Sequence, residues 1–271
     1  MSRLADAFTA AREEDRALLI GYLPAGFPSY DGGVAAITAM VEGGVDVVEV
    51  GLPYSDPMMD GPVIQAAVDQ ALRGGVKIGD VMRTVKAVAA LGVPTLVMSY
   101  WNPIERYGVE RFTADLAAAG GVGVITPDLI PDEAADWLAA VAKTGLDPIF
   151  LTAPSSTDER IKVVAEVGRG FLYAASTMGI TGTRAEVGAR AGELVGRMRA
   201  FTDTPIAVGL GVGTGSQAAQ VAGYADGVIV GSAFVRRLLD APSEPAGLAA
   251  VRALAAELAD GVRQGVHAAV N

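Results

Sequence analysis

The sequence predicts an α/β protein that folds as one (β/α)8 TIM barrel with an extra N-terminal helix. Short runs rich in β-branched residues recur along the chain, and an alanine-rich amphipathic stretch follows each of them. The 271 residues contain no composition break and no Pro/Ser-rich linker, so we expect a single domain over residues 1–271. A doubly wound open sheet normally has fewer strands and would leave some of these runs unplaced.

The candidate strands are mostly apolar, as is typical of strands that are buried on both faces of a parallel sheet. In chain order they are Ala17–Tyr22, Val45–Gly51, Thr95–Tyr100, Val122–Thr126, Pro148–Thr152, Phe171–Ala175, Pro205–Gly209 and Gly227–Val230. Eight strands in alternation with helices indicate a closed barrel, in which the active site lies at the carboxyl ends of the strands.

The segments between the strands have the apolar periodicity of helices that pack on a sheet. The helix near residue 132 follows a proline and begins with acidic residues, which favours a helix start. The predicted helices are Arg3–Glu13, Asp31–Gly43, Pro62–Arg73, Ile78–Leu91, Glu105–Ala119, Asp132–Lys143, Asp158–Val167, Val187–Phe201, Ser216–Ala222 and Leu248–Val262.

Composition excludes several classes of function. The net charge of −10, from 21 Lys+Arg against 31 Asp+Glu, argues against a nucleic-acid or anionic-membrane surface. The absence of cysteine and the single His267 exclude disulfides, cysteine nucleophiles, Cys-ligated metals and a histidine-based triad. The first residues are too charged for a signal peptide, and no apolar run is long enough to span a membrane. We therefore expect a cytoplasmic protein.

The run 45–50 contains one acid, Glu49, among valines at the end of a predicted buried strand. Burial removes water from a carboxyl group and raises its pKa, so such a group can transfer protons near neutral pH. Asp56 and Asp60 follow in a loop that is rich in Pro and Gly. The alternative is a structural acid that pairs with an arginine or lysine elsewhere in the chain.

Glycine-bearing turns follow the last three predicted strands, at Gly179–Gly182, Gly209–Gly213 and Gly231–Ser232. Glycines let backbone N–H groups approach an anion, and many barrels bind phosphate after their seventh and eighth strands. These turns predict a phosphate site, although βα turns often contain glycine for purely local reasons. Arg184, Arg236 and Arg237 would either attract the anion or simply face solvent.

Several segments identify a family resemblance that extends over essentially the whole chain. Residues Glu49–Gln65, Gly179–Gly182, Gly209–Gly211 and Gly231–Ser232 resemble the tryptophan synthase alpha subunit family. The resemblance implies a lyase of L-tryptophan biosynthesis that cleaves indole-3-glycerol phosphate to indole and glyceraldehyde 3-phosphate. It also implies an alpha2beta2 complex with a beta subunit that holds pyridoxal phosphate, with no cofactor or metal in this chain.

The same resemblance assigns site residues. It implies that Glu49 transfers protons, and that Asp60 stabilises the positive charge that develops on the indole ring. Tyr22 and Leu210 replace phenylalanines that are common in the family, and Met58 and Met59 replace smaller residues. The implied substrate contacts are Tyr22, Tyr100, Pro127, Leu151, Tyr173, Thr181 and Leu210; the phosphate contacts are Gly182, Gly211, Gly231 and Ser232; the partner contacts are Asp56, Pro57 and Asn102.

Two other functions stay open at this point. A barrel with a phosphate site is also compatible with a phosphosugar isomerase or another lyase, since the fold alone does not decide the chemistry. A barrel kept only as an allosteric binding subunit is the non-enzymatic alternative. The presence of both Glu49 and Asp60 favours the lyase over this alternative.

Overall fold

The computed structural model describes residues 3–175, 184–209 and 211–265. Its strands form one parallel sheet in the order β5-β4-β3-β2-β1-β9-β8-β7-β6. The strands are β1 Leu18–Pro24, β2 Val47–Gly51, β3 Thr95–Met98, β4 Gly123–Ile125, β5 Asp147–Ile149, β6 Leu151–Thr152, β7 Leu172–Ala175, β8 Ile206–Gly209 and β9 Gly227–Val230. Only Phe150 separates β5, which pairs with β4, from β6, which pairs with β7. These two pieces are therefore one barrel strand that closes the sheet, and the predicted (β/α)8 barrel is confirmed.

Helices follow the strands and surround the sheet. They are α1 Arg3–Glu13, α2 Tyr30–Glu42, α3 Pro62–Arg73, α4 Ile78–Ala89, α5 Trp101–Tyr107, α6 Val109–Ala118, α7 Ala135–Thr144, α8 Asp158–Val167, α9 Arg184–Arg199, α10 Gly215–Ala222, α11 Ser232–Leu239 and α12 Glu244–Gln264, with a 3₁₀ turn at Pro131–Glu133. None of the helices within the described ranges has both the length and the apolar character needed to cross a bilayer. The cytoplasmic location stays a prediction.

One predicted helix is wrong in a way that matters for the site. The segment Glu105–Ala119 was expected to be a single helix, but α5 ends and α6 begins around Gly108, whose φ of 97° is not helical. The third strand also ends at Met98 and not at Tyr100. Asn102 consequently lies on the short helix α5, and Tyr100 stands immediately before that helix.

The N-terminal helix closes the bottom of the barrel. Leu4 and Phe8 on α1 are buried against inward-facing strand residues such as Ile20 and Ile229. The rings of Phe8 and Phe171 pack with their centroids 5.7 Å apart. Burial of a side chain of this size contributes about 1.5–3 kcal/mol to folding. This apolar layer fills the amino-terminal end of the interior among the described residues, so a ligand would enter from the carboxyl ends of the strands.

Acidic residues at the bottom of the barrel have cationic and backbone partners. Asp46, just before β2, accepts hydrogen bonds from the backbone N–H of Leu19 at 2.8 Å and from Arg16 at 2.9 Å. Asp226, just before β9, accepts from the N–H of Ile206 at 2.7 Å and pairs with Arg199. These two carboxylates are structural, since each joins neighbouring strands and neutralises a nearby arginine.

Candidate active site

Glu49 occupies the middle of β2, where its register partners are Tyr22 on β1 and Leu96 on β3. The residue is 1% exposed, and its Oε2 has no hydrogen-bond partner among the residues that the structure describes. Within those residues it also makes no salt bridge, in contrast to Asp46 and Asp226. Burial, followed by the nearby negative charge of Asp60, raises the pKa of Glu49 to about 8. Glu49 is therefore mainly a neutral carboxylic acid at pH 7, able to donate a proton.

Asp60 lies in the loop 52–61 between β2 and α3, and Tyr100, which follows β3, holds it. The Tyr100 hydroxyl donates a hydrogen bond to Oδ1 of Asp60 at 3.0 Å. The same hydroxyl accepts a hydrogen bond from the backbone N–H of Met59, also at 3.0 Å. Burial raises the pKa of Asp60, while the Tyr100 hydrogen bond opposes that effect. The two predicted carboxyl groups thus share one site but have different environments.

Tyr22 and Tyr173 supply two further hydroxyl groups near the carboxyl pair. Burial raises the pKa of Tyr22 well above its usual value, and the charges of Asp60 and Glu49 add to this effect. The pKa of Tyr173 is raised for the same reasons, burial first and Glu49 second. Both tyrosines are therefore neutral hydroxyls at pH 7, which can donate a hydrogen bond without adding charge.

The predicted apolar contacts lie at the same end of the barrel. Leu151 on β6 packs against the inward-facing core, and Pro127, the second residue after β4, is half-buried. The ring of Tyr54 lies 5.6 Å from the ring of Tyr100, between centroids. Apolar and aromatic groups thus surround the polar groups, as is common in small-molecule sites.

The predicted phosphate turn lies at the end of β9. Gly231 precedes α11, and Ser232 is the first residue of that helix, so backbone N–H groups at its start are available to an anion. Gly211 has a φ of 63°, a conformation that favours glycine. Arg236 and Arg237 are exposed. Three predicted contacts, Thr181, Gly182 and Leu210, lie outside the described residues, as does the side chain of Arg184.

The predicted partner contacts lie on the rim, in the loop 52–61 and on α5. Asp56 and Asn102 are exposed, and Pro57 is partly exposed. Met58 has 72% of its surface exposed, the largest value among the large hydrophobic side chains that the structure describes. An exposed apolar side chain beside a functional rim is typical of a protein contact.

Asp128 is a residue of this rim to which sequence analysis assigned no role. The backbone N–H of Trp101 donates a hydrogen bond to the carboxylate of Asp128, with the nitrogen 2.9 Å from Oδ1 and 3.1 Å from Oδ2. This contact fixes the start of α5 directly after Tyr100. In the sequence, a role for Asp128 is indicated by its position just after the fourth strand, since barrel enzymes place functional side chains at the carboxyl ends of their strands.

The fold and the site together define a class: a (β/α)8 barrel with two neighbouring carboxyl groups, Glu49 and Asp60, at the carboxyl ends of its strands. Comparison with known proteins makes the class specific. Residues 8–263 match the family described as tryptophan synthase alpha chain. The tryptophan synthase alpha chain of Streptomyces coelicolor is 64% identical over 261 residues, covering 96% of each chain. That of Salinispora arenicola is 62% identical, covering 98% of this chain and all of the relative.

Solved structures of tryptophan synthase match the fold of this chain. Tryptophan synthase from M. tuberculosis, in an aminoacrylate-bound form, superposes with a TM-score of 0.89 at 54% identity over 97% of this chain and 100% of that chain. Tryptophan synthase subunit alpha from Legionella pneumophila superposes with a TM-score of 0.88 at 32% identity. The match covers 97% of this chain and 98% of that chain. The chain belongs to the tryptophan synthase alpha chain family, as its sequence motifs predicted.

The Tyr100–Asp60 contact leads to a testable prediction. Tyr100→Phe removes the hydrogen bond that favours the charged form of Asp60, so the pKa of Asp60 should rise. We expect the free energy of unfolding to fall by about 1–2 kcal/mol, since the loop also loses the Met59 contact. A ¹³C NMR titration of the Asp60 carboxyl and denaturant unfolding measure the two effects.

Tyr107→Phe is the matched control. It removes another tyrosine–aspartate hydrogen bond, to Asp115 at 2.7 Å, but that bond joins α5 to α6 outside the site. An Asp60 pKa that stays unchanged in Tyr100→Phe, or that shifts equally in the control, would contradict the assigned contact.

Proposed function

We propose that Glu49 and Asp60 carry out the retro-aldol cleavage of indole-3-glycerol phosphate in this chain. The reaction class follows from the family: the chain is the lyase subunit of L-tryptophan biosynthesis, which forms indole and glyceraldehyde 3-phosphate. The observation that supports the residue roles best is the Glu49 carboxyl, which is buried, unpaired with a cation among the described residues, and close to the charge of Asp60.

Cleavage needs two proton transfers. Carbon 3 of the indole ring must gain a proton, and the hydroxyl on the adjacent chain carbon must lose one while the carbon–carbon bond breaks. Since Glu49 is protonated at neutral pH, it donates the first proton to carbon 3. The resulting carboxylate then accepts the hydroxyl proton as that carbon becomes the aldehyde. The electrons of the broken bond return to the ring, and Glu49 ends in its starting form.

Asp60 acts on the charge that appears between these two transfers. Protonation of carbon 3 leaves a positive charge that is shared with the ring nitrogen. An ionised Asp60 beside the ring N–H accepts its hydrogen bond and stabilises the cation. The Tyr100 hydroxyl keeps Asp60 in place and favours its charged form. Two carboxyl groups thus perform two roles, because their environments differ.

The remaining residues bind the rest of the substrate. We assign the phosphate to the turn at Gly231 and Ser232, with Gly211 and Gly182 contributing backbone contacts. We assign the indole contacts to Tyr173, Pro127, Leu151 and Leu210. Thr181 is assigned to a loop that covers bound substrate. These assignments, and the expectation that this chain holds no cofactor, stay predictions.

Substitution of the two carboxyl groups tests the roles separately. Glu49→Gln should lower the turnover of indole-3-glycerol phosphate by about 10²- to 10⁴-fold while the Michaelis constant changes little. Asp60→Asn should also act mainly on turnover, because it removes the charge that stabilises the cation and that helps to raise the pKa of Glu49.

The exposed Glu193 on α9 offers the matched control, since Glu193→Gln makes the same chemical change away from the site. Release of glyceraldehyde 3-phosphate is the measurement. Near-normal turnover in Glu49→Gln would refute the acid–base role. A change confined to the Michaelis constant in Asp60→Asn would make Asp60 a binding residue.

We further propose that a tryptophan synthase beta subunit, which holds the pyridoxal phosphate, binds the rim that contains Asp56, Pro57 and Asn102, in an alpha2beta2 complex. The exposed Met58 supports this, because methionine side chains adapt well to protein contacts. Since Asp60 belongs to the same loop, docking there would order the catalytic aspartate. Indole would then pass directly to the partner.

Addition of the beta subunit should raise cleavage by at least about tenfold, equivalent to about 1.4 kcal/mol of coupling. Asp56→Ala and Asn102→Ala should weaken this activation more than they weaken the basal rate. Asp260→Ala, an exposed change on α12, is the control and should leave activation intact. A beta subunit that binds tightly and leaves cleavage unaltered would refute the coupling.

A further inference from the structure

Tyr22 stands between the two ends of the proposed substrate site. Its strand, β1, lies between β2 and β9 in the sheet. On one side Tyr22 is the register partner of Glu49. On the other side Gly21 pairs with Val230, so Tyr22 lies beside Gly231, the first residue of the phosphate turn. Tyr22 is thus the β1 residue that has the acid on one side and the phosphate turn on the other.

The aromatic ring of Tyr22 spans this gap. A Cβ atom added to Gly231 would lie 3.1 Å from Tyr22 Cδ1 and 3.3 Å from its Cβ, so the near edge of the ring covers the phosphate turn. A Cβ atom added to Gly51 would lie 2.3 Å from the Tyr22 hydroxyl and 2.6 Å from Cζ. The hydroxyl therefore rests on the strand of Glu49, two residues beyond that acid. Glycine at position 51 leaves the room that it needs.

A substrate that is bound at both ends must pass this hydroxyl. Its phosphate lies at Gly231 and Ser232, and its reacting carbons lie at Glu49. Only the hydroxylated three-carbon chain joins the two. We propose that the Tyr22 hydroxyl hydrogen-bonds this chain and thereby selects a hydroxylated phosphate ester over an unsubstituted one. The proposal rests on the proposed function, because that function supplies the positions of both ends.

The chemistry of the site agrees with this role. Packing over the two glycines needs only the aromatic ring, which phenylalanine would supply equally well. The hydroxyl adds one polar group to a buried position that faces Glu49 and Asp60. A neutral hydroxyl donor at this position does not disturb the charges of the two carboxyl groups. A hydroxylated ligand offers an acceptor to this donor.

Binding of two small phosphate esters tests the proposal in the full-length protein. Glycerol 3-phosphate carries the hydroxyl groups, and n-propyl phosphate has the same carbon chain without them. By titration calorimetry, we expect Tyr22→Phe to lower the affinity for glycerol 3-phosphate about three- to tenfold, which is the effect of losing one neutral hydrogen bond. Affinity for n-propyl phosphate should stay unchanged. Tyr224→Phe, on the turn before β9 at the opposite end of the barrel, is the matched control and should change neither affinity.

Other outcomes overturn the proposal in distinguishable ways. An equal loss for both esters would mean that Tyr22 shapes the pocket through its ring packing. Unchanged affinities together with a displaced pH profile of turnover would mean that the hydroxyl serves Glu49 and not the ligand. Ser232→Ala should lower the affinity for both esters by the same factor, because both carry the phosphate group. If the wild-type protein binds neither ester, or if Ser232→Ala leaves both affinities unchanged, the assignment of the phosphate site is refuted. The proposal for Tyr22 is then refuted as well, because it depends on that site.

Discussion

The chemistry of this site depends on the burial of one carboxyl group in the wall of a closed barrel. β2 lies between two other strands, and the interior below Glu49 is filled by the apolar layer that α1 completes. Water therefore reaches this carboxyl poorly, and the described residues offer it no cation. Asp46 and Asp226 differ from Glu49 in this respect, because each pairs with an arginine and accepts a backbone N–H at the bottom of the same barrel.

The second carboxyl group is different because it lies on a loop. Asp60 is held by Tyr100, which follows β3, and Asp128, which follows β4, fixes the helix that begins directly after Tyr100. Three successive strand ends thus contribute to the position of one aspartate. Since the proposed partner surface includes the same loop and the same helix, α5, contacts there would act directly on Asp60. This continuity gives a physical route from partner binding to catalysis.

Local patterns in the sequence predicted the parts of the structure that depend on neighbouring residues. The apolar run around Glu49 predicted a buried strand, and the recurrence of strands and helices predicted the barrel. The break at Gly108 was missed, because the helical pattern continues on both sides of that glycine. The Tyr100–Asp60 bond and the position of Tyr22 between Glu49 and Gly231 were also missed. Both depend on strand register and on contacts between residues far apart in the chain, which periodicity does not reveal.

The proposed chemistry requires Glu49 to be a neutral acid at physiological pH, and the pKa of this carboxyl group can be measured directly. A ¹³C NMR titration of protein labelled at glutamate Cδ, with Glu49→Gln used to assign the signal, gives the midpoint. We expect a midpoint near 8, because burial and the charge of Asp60 raise the pKa of Glu49. We also expect a lower midpoint in Asp60→Asn, because that variant lacks the neighbouring charge. A midpoint near the ordinary value of 4.5 would refute the acid role of Glu49, since Glu49 would then hold no proton to donate at neutral pH.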